Sequence, residues 1–176
     1  MNAPVLKRPV DGKWPVLAEF GKNFINDSVR GNYYELFNNK HSGVDFKTPI
    51  GTKVTASFSG RVVRNEFHGG MGNVVGVRNE NILALYAHLS KSVVTRGQYV
   101  NVGSLVGYSG DTGNAVGPTP HLHFELRDLS THPLKKMVLR PKFGKIVKEW
   151  SLVGDIAMRD GLRLSTLRLI KRIWLG

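Results

Sequence analysis

The sequence contains no cysteine among its 176 residues, which excludes disulfide bonds and zinc sites built from thiolates. It also lacks any run of about 18 uninterrupted apolar residues, the length that a membrane-spanning helix requires. The opening stretch, MNAPVLKRPVDGKWPV, is broken by prolines and has no apolar run of the kind found in a secretory signal peptide. We therefore expect a soluble protein without a recognisable Sec signal.

Acidic residues are scarce. The chain has 13 Asp and Glu against 25 Lys and Arg, which gives a formal net charge of +12 at pH 7. Such an excess favours an anionic partner, and nucleic acid, acidic cell-wall polymers and anionic lipid all fit that description. The charge alone does not choose among them.

Composition divides the chain into three segments. Residues 1–39 predict a lead-in of short elements and loops, and residues 135–176 a basic extension. Residues 40–134 form the candidate core, because short β-branched segments alternate there with glycine, a pattern typical of an antiparallel β architecture. The predicted strands are KVTASF, RVVRNEF, NVVGVR, ILALYAH, SLVGYS and HLHFELR.

The segment HLHFELR raises a specific question, because two histidines stand one residue apart in an apolar run. Side chains on a strand alternate between its two faces, so His121 and His123 lie on one face and Leu122, Phe124 and Leu126 on the other. The apolar face suits a core. The paired imidazoles indicate a functional site on the opposite face.

Two further segments offer partners for this pair. In HSGVDF, His41 and Asp45 are four residues apart and share a face if the segment is extended, with Gly43 letting the backbone bend; in LYAHL, His88 ends a strand. Catalytic zinc commonly takes three nitrogen or oxygen ligands and leaves one position for water. The candidates exceed that number, and the surplus histidines suit general acid–base catalysis.

Other candidates have an ordinary structural explanation. His68, in the glycine-rich loop EFHGGMGN, and His132, beside Pro133, are expected to be surface or hydrogen-bonded residues. Tyr86 lies two residues before His88, so an unbroken strand would place both on one side. An aromatic residue in ILALYAHL is more typical of packing than of a site.

Taken in order, the motifs HSGVDF, YAHLS and PHLHFELR resemble the lysostaphin-like zinc metalloendopeptidases, which cut peptide bonds in bacterial peptidoglycan. The resemblance covers about residues 40–127 and implies a mainly β fold. We expect an antiparallel sheet with an open substrate groove, walled by the Gly69–Gly72 and Asp111–Pro120 loops, together with short N-terminal elements and a C-terminal helical tail.

The resemblance also implies residue roles. One zinc ion per chain would be bound by His41, Asp45 and His123, while His88 and His121 would be catalytic without serving as principal ligands. Either of these two histidines could act as the general base. No nucleic acid partner is expected.

One departure concerns the loop before the histidine pair. Members of the family usually have S-T-G-P-H-L-H, whereas this chain has NAVGPTPHLH, with two additional residues after Gly117-Pro118. This loop would affect substrate preference more than metal binding. Glycyl-glycine bridges and D-alanyl-diaminopimelate crosslinks are both possible substrates.

The expected place of action is the cell wall, in the periplasm or outside the cell. Without a Sec signal the enzyme would arrive there after lysis, by non-Sec export or with a virion, and a phage-type lysin is the favoured context. The runner-up is a bacterial enzyme delivered by another route, or a chain that has lost its native leader.

Two non-enzymatic alternatives were weighed. A biotinyl- or lipoyl-type carrier domain shares the Gly-Val rhythm, but Lys47, Lys53 and Lys91 lack the flanking residues of a modified lysine, and the histidines would be unexplained. A catalytically silent wall-binding or hydrolase-activating relative would have lost part of the site. Retention of all five expected residues favours an enzyme.

The tail GLRLSTLRLIKRIWLG, residues 161–176, predicts an amphipathic helix with a cationic side. Most such helices dock their apolar face on the domain that carries them. The alternative is a segment that lies on anionic lipid, with its tryptophan at the interface. Both interpretations stay open from the sequence.

Overall fold

The computed structural model describes residues 5–22, 40–115, 119–129, 137–144 and 156–157. The predicted helical tail at residues 161–176, His132, and the middle of the Asp111–Pro120 loop lie outside the described residues. Within the described ranges, no helix is both long enough and apolar enough to cross a membrane.

The described residues form eleven β-strands and one 3-10 turn, and every strand pair is antiparallel, which confirms the predicted mainly β fold class. In chain order the elements are β1 (Val16–Ala18), β2 (Val44–Lys47), β3 (Lys53–Thr55), β4 (Gly60–His68), β5 (Gly72–Asn79), β6 (Ile82–Ser92), β7 (Tyr99–Val100), β8 (Leu105–Ser109), the 3-10 turn Gly113–Ala115, β9 (His121–Asp128), β10 (Met137–Leu139) and β11 (Ile156–Ala157).

The main sheet has the strand order β1-β2-β9-β6-β5-β4-β7. Strand β8 pairs with both β3 and β6, while β10 pairs with β9 and with β11. The sheet thus takes strands from all three segments that composition distinguishes, and the domain boundaries drawn at residues 40 and 134 stay a prediction. Strands β2, β9 and β6 are neighbours at the centre, so motifs far apart in sequence lie side by side.

Alternation along these central strands separates core from site. Phe46, Tyr86, Leu122 and Phe124 are fully buried in one hydrophobic core on one face of the sheet. Each fully buried side chain of this size contributes roughly 1.5–3 kcal/mol to folding through loss of apolar surface from water. The opposite face of β9 carries its polar residues, as the HLHFELR pattern predicts.

Candidate metal and catalytic site

Asp45 and His123 come together because they are directly opposed across the β2–β9 ladder. His41 precedes β2 in a segment that is not itself a strand, and its side chain is fully buried. Gly43 makes the approach possible, since a Cβ there would lie 2.3 Å from the Phe124 carbonyl oxygen and 2.9 Å from Cε1 of His123. The glycine in HSGVDF is therefore required for close packing against β9.

The three predicted ligands converge on one point. His41 Nε2 lies 3.1 Å from Asp45 Oδ1 and 3.1 Å from His123 Nδ1, and His123 Nδ1 lies 2.8 Å from Asp45 Oδ1. Ligand atoms of a tetrahedral zinc at about 2.0–2.2 Å would be roughly 3.4 Å apart, which is close to this arrangement. Two imidazole nitrogens and a carboxylate oxygen form a donor set that zinc accepts.

The other ring nitrogen of each ligand histidine faces an acceptor. His41 Nδ1 lies 3.0 Å from the carbonyl oxygen of Glu19, and His123 Nε2 lies 3.3 Å from Oε2 of Glu125. N–H groups at these positions would donate outward and leave a lone pair on the inward nitrogen, the arrangement found around protein-bound metals. The residues present therefore fit a zinc ion.

The electrostatics of the cluster agree with its role as a cation site. Burial would raise the pKa of Asp45, but hydrogen bonds from His123 and His41 hold it well below its usual range. Burial would lower the pKa of His123, but hydrogen bonds to Asp45 and Glu125 outweigh it and raise this pKa to about 9. The carboxylates of Asp45 and Glu125 thus stabilise positive charge beside them, whether it is a proton on His123 or a bound cation.

Glu125 and Arg127 belong to the site, although the sequence reasoning did not select them. Glu125 is fully buried, accepts a 2.7 Å hydrogen bond from Ser42 Oγ, and pairs with Arg127 as well as His123. Burial would raise the pKa of Glu125, but Arg127 and His123 lower it to about 2. The signal was available, because period-two alternation places both residues on the face of His121 and His123.

His88 reaches the site through a local distortion of β6. Its φ is +60°, in the left-handed region, and the register of β6 against β5 shifts between the Asn73 and Val75 pairings. A non-glycine residue held in this conformation is strained, and such strain concentrates at functional sites. The bulge turns His88 towards the histidines of β9, with its ring centroid 4.8 Å from that of His121.

The expectation that Tyr86 and His88 share one side is wrong, because alternation does not continue through this bulge. Tyr86 is fully buried in the core, and its hydroxyl oxygen accepts a 2.7 Å hydrogen bond from the Ser57 N–H. Burial raises the pKa of Tyr86 to about 12. The residue packs and supports the sheet, as its apolar surroundings in the sequence indicate.

The two surplus histidines are oriented by backbone carbonyl groups. His88 Nδ1 lies 2.7 Å from the Thr112 oxygen, and His121 Nδ1 lies 3.0 Å from the Thr119 oxygen. With N–H groups there, each Nε2 keeps its lone pair, and Nε2 of His121 lies 3.8 Å from Oδ2 of Asp45. Burial, together with the neighbouring histidines, lowers the pKa of His88 to about 3. His88 is therefore neutral at pH 7 in these surroundings.

Two loops that were predicted to wall the groove meet beside His88. The His88 N–H donates to the Met71 oxygen at 2.8 Å, and the Asn114 N–H donates to the Gly70 oxygen at 3.0 Å. The hairpin between β4 and β5 is thereby joined to the loop after β8, which supplies the Thr112 oxygen to His88. Whether the groove is open at both ends stays a prediction.

His68 takes no part in the cluster. It lies exposed at the end of β4, and its Nδ1 accepts a 3.3 Å hydrogen bond from the Met71 N–H. This contact agrees with the structural role expected for it. Among the described residues, the group that could hold a metal consists of His41, Asp45 and His123.

Most of the chain is similar to a known protein family and to proteins of known activity. Residues 39–136 match the model of Peptidase family M23. The chain is 39% identical over 119 residues to the peptidoglycan DD-endopeptidase ShyA of Vibrio cholerae. The aligned region covers 67% of this chain and 26% of ShyA. The chain thus spans about a quarter of that relative's length.

Solved structures are similar to the same region. The catalytic domain of lysostaphin from Staphylococcus simulans aligns with a TM-score of 0.57 and 33% identity, covering 68% of this chain and 84% of that one. The catalytic domain of EnpA, a prophage-encoded M23 protein from Enterococcus faecalis, aligns with a TM-score of 0.59 and 28% identity. This alignment covers 78% of the present chain and 97% of the EnpA domain.

Proposed function

The chain belongs to peptidase family M23, and from this premise we propose that it is a zinc-dependent endopeptidase that hydrolyses peptide bonds in peptidoglycan stems or crossbridges. The observation that carries the proposal is the convergence of His41, Asp45 and His123 within 3.1 Å of one another, beside two further buried histidines. These residues would supply the two parts that such a reaction needs, a cation site and proton-transfer groups.

One zinc ion per chain would be held by His41 Nε2, Asp45 Oδ1 and His123 Nδ1. Bound there, zinc would supply Lewis acidity towards a peptide carbonyl and towards water. The protein's own contribution is to orient the two ligand histidines through acceptors beside their other ring nitrogens. Glu19 does so for His41 through its backbone oxygen, and Glu125 does so for His123 through its carboxylate.

His88 and His121 would move the proton during hydrolysis. As the water oxygen bonds to the carbonyl carbon, one neutral Nε2 accepts the water proton, and that proton then passes to the nitrogen of the leaving amine when the C–N bond breaks. The other imidazole, carrying a proton on Nε2, would donate a hydrogen bond to the negative charge that develops on the carbonyl oxygen. Each of the two histidines has its Nδ1 beside a backbone oxygen, so either Nε2 could accept the water proton.

The alternative of a catalytically silent wall-binding or hydrolase-activating relative accounts less well for the site. Such a protein has no need for two additional buried histidines whose Nδ1 atoms are held by backbone oxygens. The carrier-domain alternative is disfavoured by the family assignment. The geometry therefore supports an enzyme.

We further propose that the enzyme acts at the cell wall, as a phage-type or otherwise exported lysin. The similarity to the prophage-encoded EnpA domain supports the phage context, and the similarity to ShyA supports peptidoglycan as the substrate. Anionic lipid remains a proposed partner of residues 161–176. No nucleic acid partner is proposed.

Digestion of purified cell walls tests this function. The zinc-loaded protein would be incubated with walls crosslinked through glycine bridges and with walls crosslinked directly through diaminopimelate, and the new termini would be identified by mass spectrometry. We expect new amino and carboxyl termini within stems or crossbridges of at least one wall. Intact crosslinks in both, with zinc fully loaded, would support the silent relative instead.

A further inference from the structure

Lys47 occupies a position next to the catalytic residues that the proposed mechanism does not use. It is the last residue of β2, and it is directly opposed to His121 across the β2–β9 ladder. Directly opposed residues on an antiparallel pair project from the same face, with Cβ atoms about 4.5–5.5 Å apart. The lysine side chain therefore starts beside His121.

The backbone fixes this direction. Val44 and Phe46 are buried in the core on one face of β2, so Asp45 and Lys47 project from the other face. The Lys47 N–H donates to the Pro15 oxygen at 2.8 Å, which holds the end of the strand in register. The flexible four-carbon stem of lysine is long enough to bring the ammonium group to the rim of the site.

Lys47 differs from its neighbours in exposure and charge. The cluster residues Asp45, His121 and His123 are buried, whereas Lys47 is exposed. The carboxylates of Asp45 and Glu125 are engaged with histidines and arginine inside the site. Among the described residues, no carboxylate forms an ion pair with Lys47. Lys47 is therefore an exposed cation, opposite His121 on the ladder, with which a substrate carboxylate could pair.

We propose that Lys47 is a specificity-determining residue that binds a free carboxylate on the substrate peptide, within one or two residues of the scissile bond. This inference rests on the proposed function. It selects stems that carry a free carboxylate next to the crosslink, such as that of diaminopimelate, over neutral glycine bridges or amidated stems. Lys47 binds substrate and takes no part in proton transfer.

The size of the effect follows from its exposed position. An ion pair at a solvent-exposed rim changes binding by about three- to fivefold and weakens as salt rises, because the Debye length falls from about 10 Å at 0.1 M to about 3 Å at 1 M. The preference should therefore appear in KM, leave kcat unchanged, and fade in high salt.

The test uses two synthetic crosslinked peptides with the same scissile bond, one with a free carboxylate and one with a carboxamide on the adjoining diaminopimelate residue. We expect the wild-type enzyme to have a KM about three- to fivefold lower for the carboxylate form. Lys47→Gln should raise that KM to the value for the amide, and Lys47→Arg should keep the preference. Lys53→Gln is the matched control, since Lys53 is an exposed lysine on β3, which pairs with β8 instead of a ligand-bearing strand.

The outcomes distinguish the role of Lys47 from the proposed function of the enzyme. If the wild-type enzyme hydrolyses both peptides with equal KM and Lys47→Gln changes neither, the role of Lys47 is overturned and the proposed function stands. Equal losses on both peptides in the Gln variant also overturn it, because they indicate a general structural effect. If the zinc-loaded wild type hydrolyses neither these peptides nor purified walls, the proposed function fails, and the role of Lys47 fails with it.

Discussion

The imidazole rings of His88 and His121 meet edge to face, with centroids 4.8 Å apart and ring planes at 62°. They come from different strands, β6 and β9, and each has its Nδ1 beside a backbone oxygen. With an N–H group at each Nδ1, Nε2 is the atom at which each ring can take up or release a proton. Both imidazoles therefore lie beside the proposed ligands Asp45 and His123, at positions suited to proton transfer.

We predict that His88→Ala and His121→Ala each retain most of their zinc but lose at least about a hundredfold in turnover, the usual cost of removing a general acid–base group. Zinc content and hydrolysis of soluble crosslinked peptides would be measured on the same preparations. His68→Ala is the control and should be nearly neutral, since His68 is exposed and outside the cluster. Near-normal turnover in either variant would remove that histidine from the mechanism.

Glu125 should control zinc affinity. Glu125→Gln keeps the size of the side chain but removes the negative charge facing His123 Nε2, so we expect zinc to bind about 10- to 100-fold more weakly. Competition with a chelating dye measures the zinc Kd, and circular dichroism checks the fold. Ser42→Ala removes only a donor to Glu125 and should have a smaller effect. An unchanged Kd in Glu125→Gln would show that this carboxylate does not support the ligand.

The sequence could predict which face of the sheet a side chain occupies only where the side chains of a strand alternate regularly. Period-two spacing in HLHFELR correctly separated the core face from the site face, because β9 is unbroken. The same rule failed for Tyr86 and His88, because the bulge and the positive φ at His88 lie between them and leave no mark in the residue types. Glu125 was not predicted as a site residue, although alternation puts it on the same face, because its ion pair with Arg127 is evident only from their joint burial.

Residue type alone left five candidates, and the family resemblance of the motifs implied His41, Asp45 and His123 as the ligands among them. Their actual convergence depends on β2 pairing with β9, more than 70 residues away in the chain, and on the close approach at Gly43. Spacing within HSGVDF could not predict that His41 lies before the strand. Long-range pairing of this kind is decided by the whole sheet.

Tyr86 should matter for stability and not for catalysis. Tyr86→Phe leaves the buried Ser57 N–H without its acceptor, which costs about 1–3 kcal/mol in the free energy of unfolding. Zinc content and turnover should stay unchanged. Urea unfolding measures the loss, and Tyr99→Phe, at an exposed position, should show none. A large loss of turnover without loss of stability would place Tyr86 in the site after all.

The same tyrosine predicts a pH dependence. Its pKa is about 12 in the folded protein and about 10 when unfolded, so the folded state favours the neutral phenol. This contribution is complete below pH 10 and is lost as pH rises from 10 towards 12, because the unfolded chain releases the proton first. The wild-type protein should therefore lose more stability over that range than Tyr86→Phe does.

Truncation after Asp160 separates the two interpretations of the tail. If residues 161–176 form a membrane element, the shortened protein should keep its Tm and its activity on purified peptidoglycan, and lose salt-sensitive binding to anionic vesicles. If the tail instead docks on the domain, the Tm should fall markedly while vesicle binding is unchanged. Thermal melts and vesicle sedimentation on both proteins give the answer.

The most direct test of the central claim is zinc content and hydrolysis in His123→Ala, measured together. His123 supplies Nδ1 at the convergence with His41 and Asp45, so its removal leaves two of three ligands. We predict about one zinc per wild-type chain, and in the folded variant a loss of zinc at equimolar supply together with a loss of peptide hydrolysis. A His123→Ala protein that keeps full zinc occupancy, or that hydrolyses crosslinks without zinc, would contradict the account.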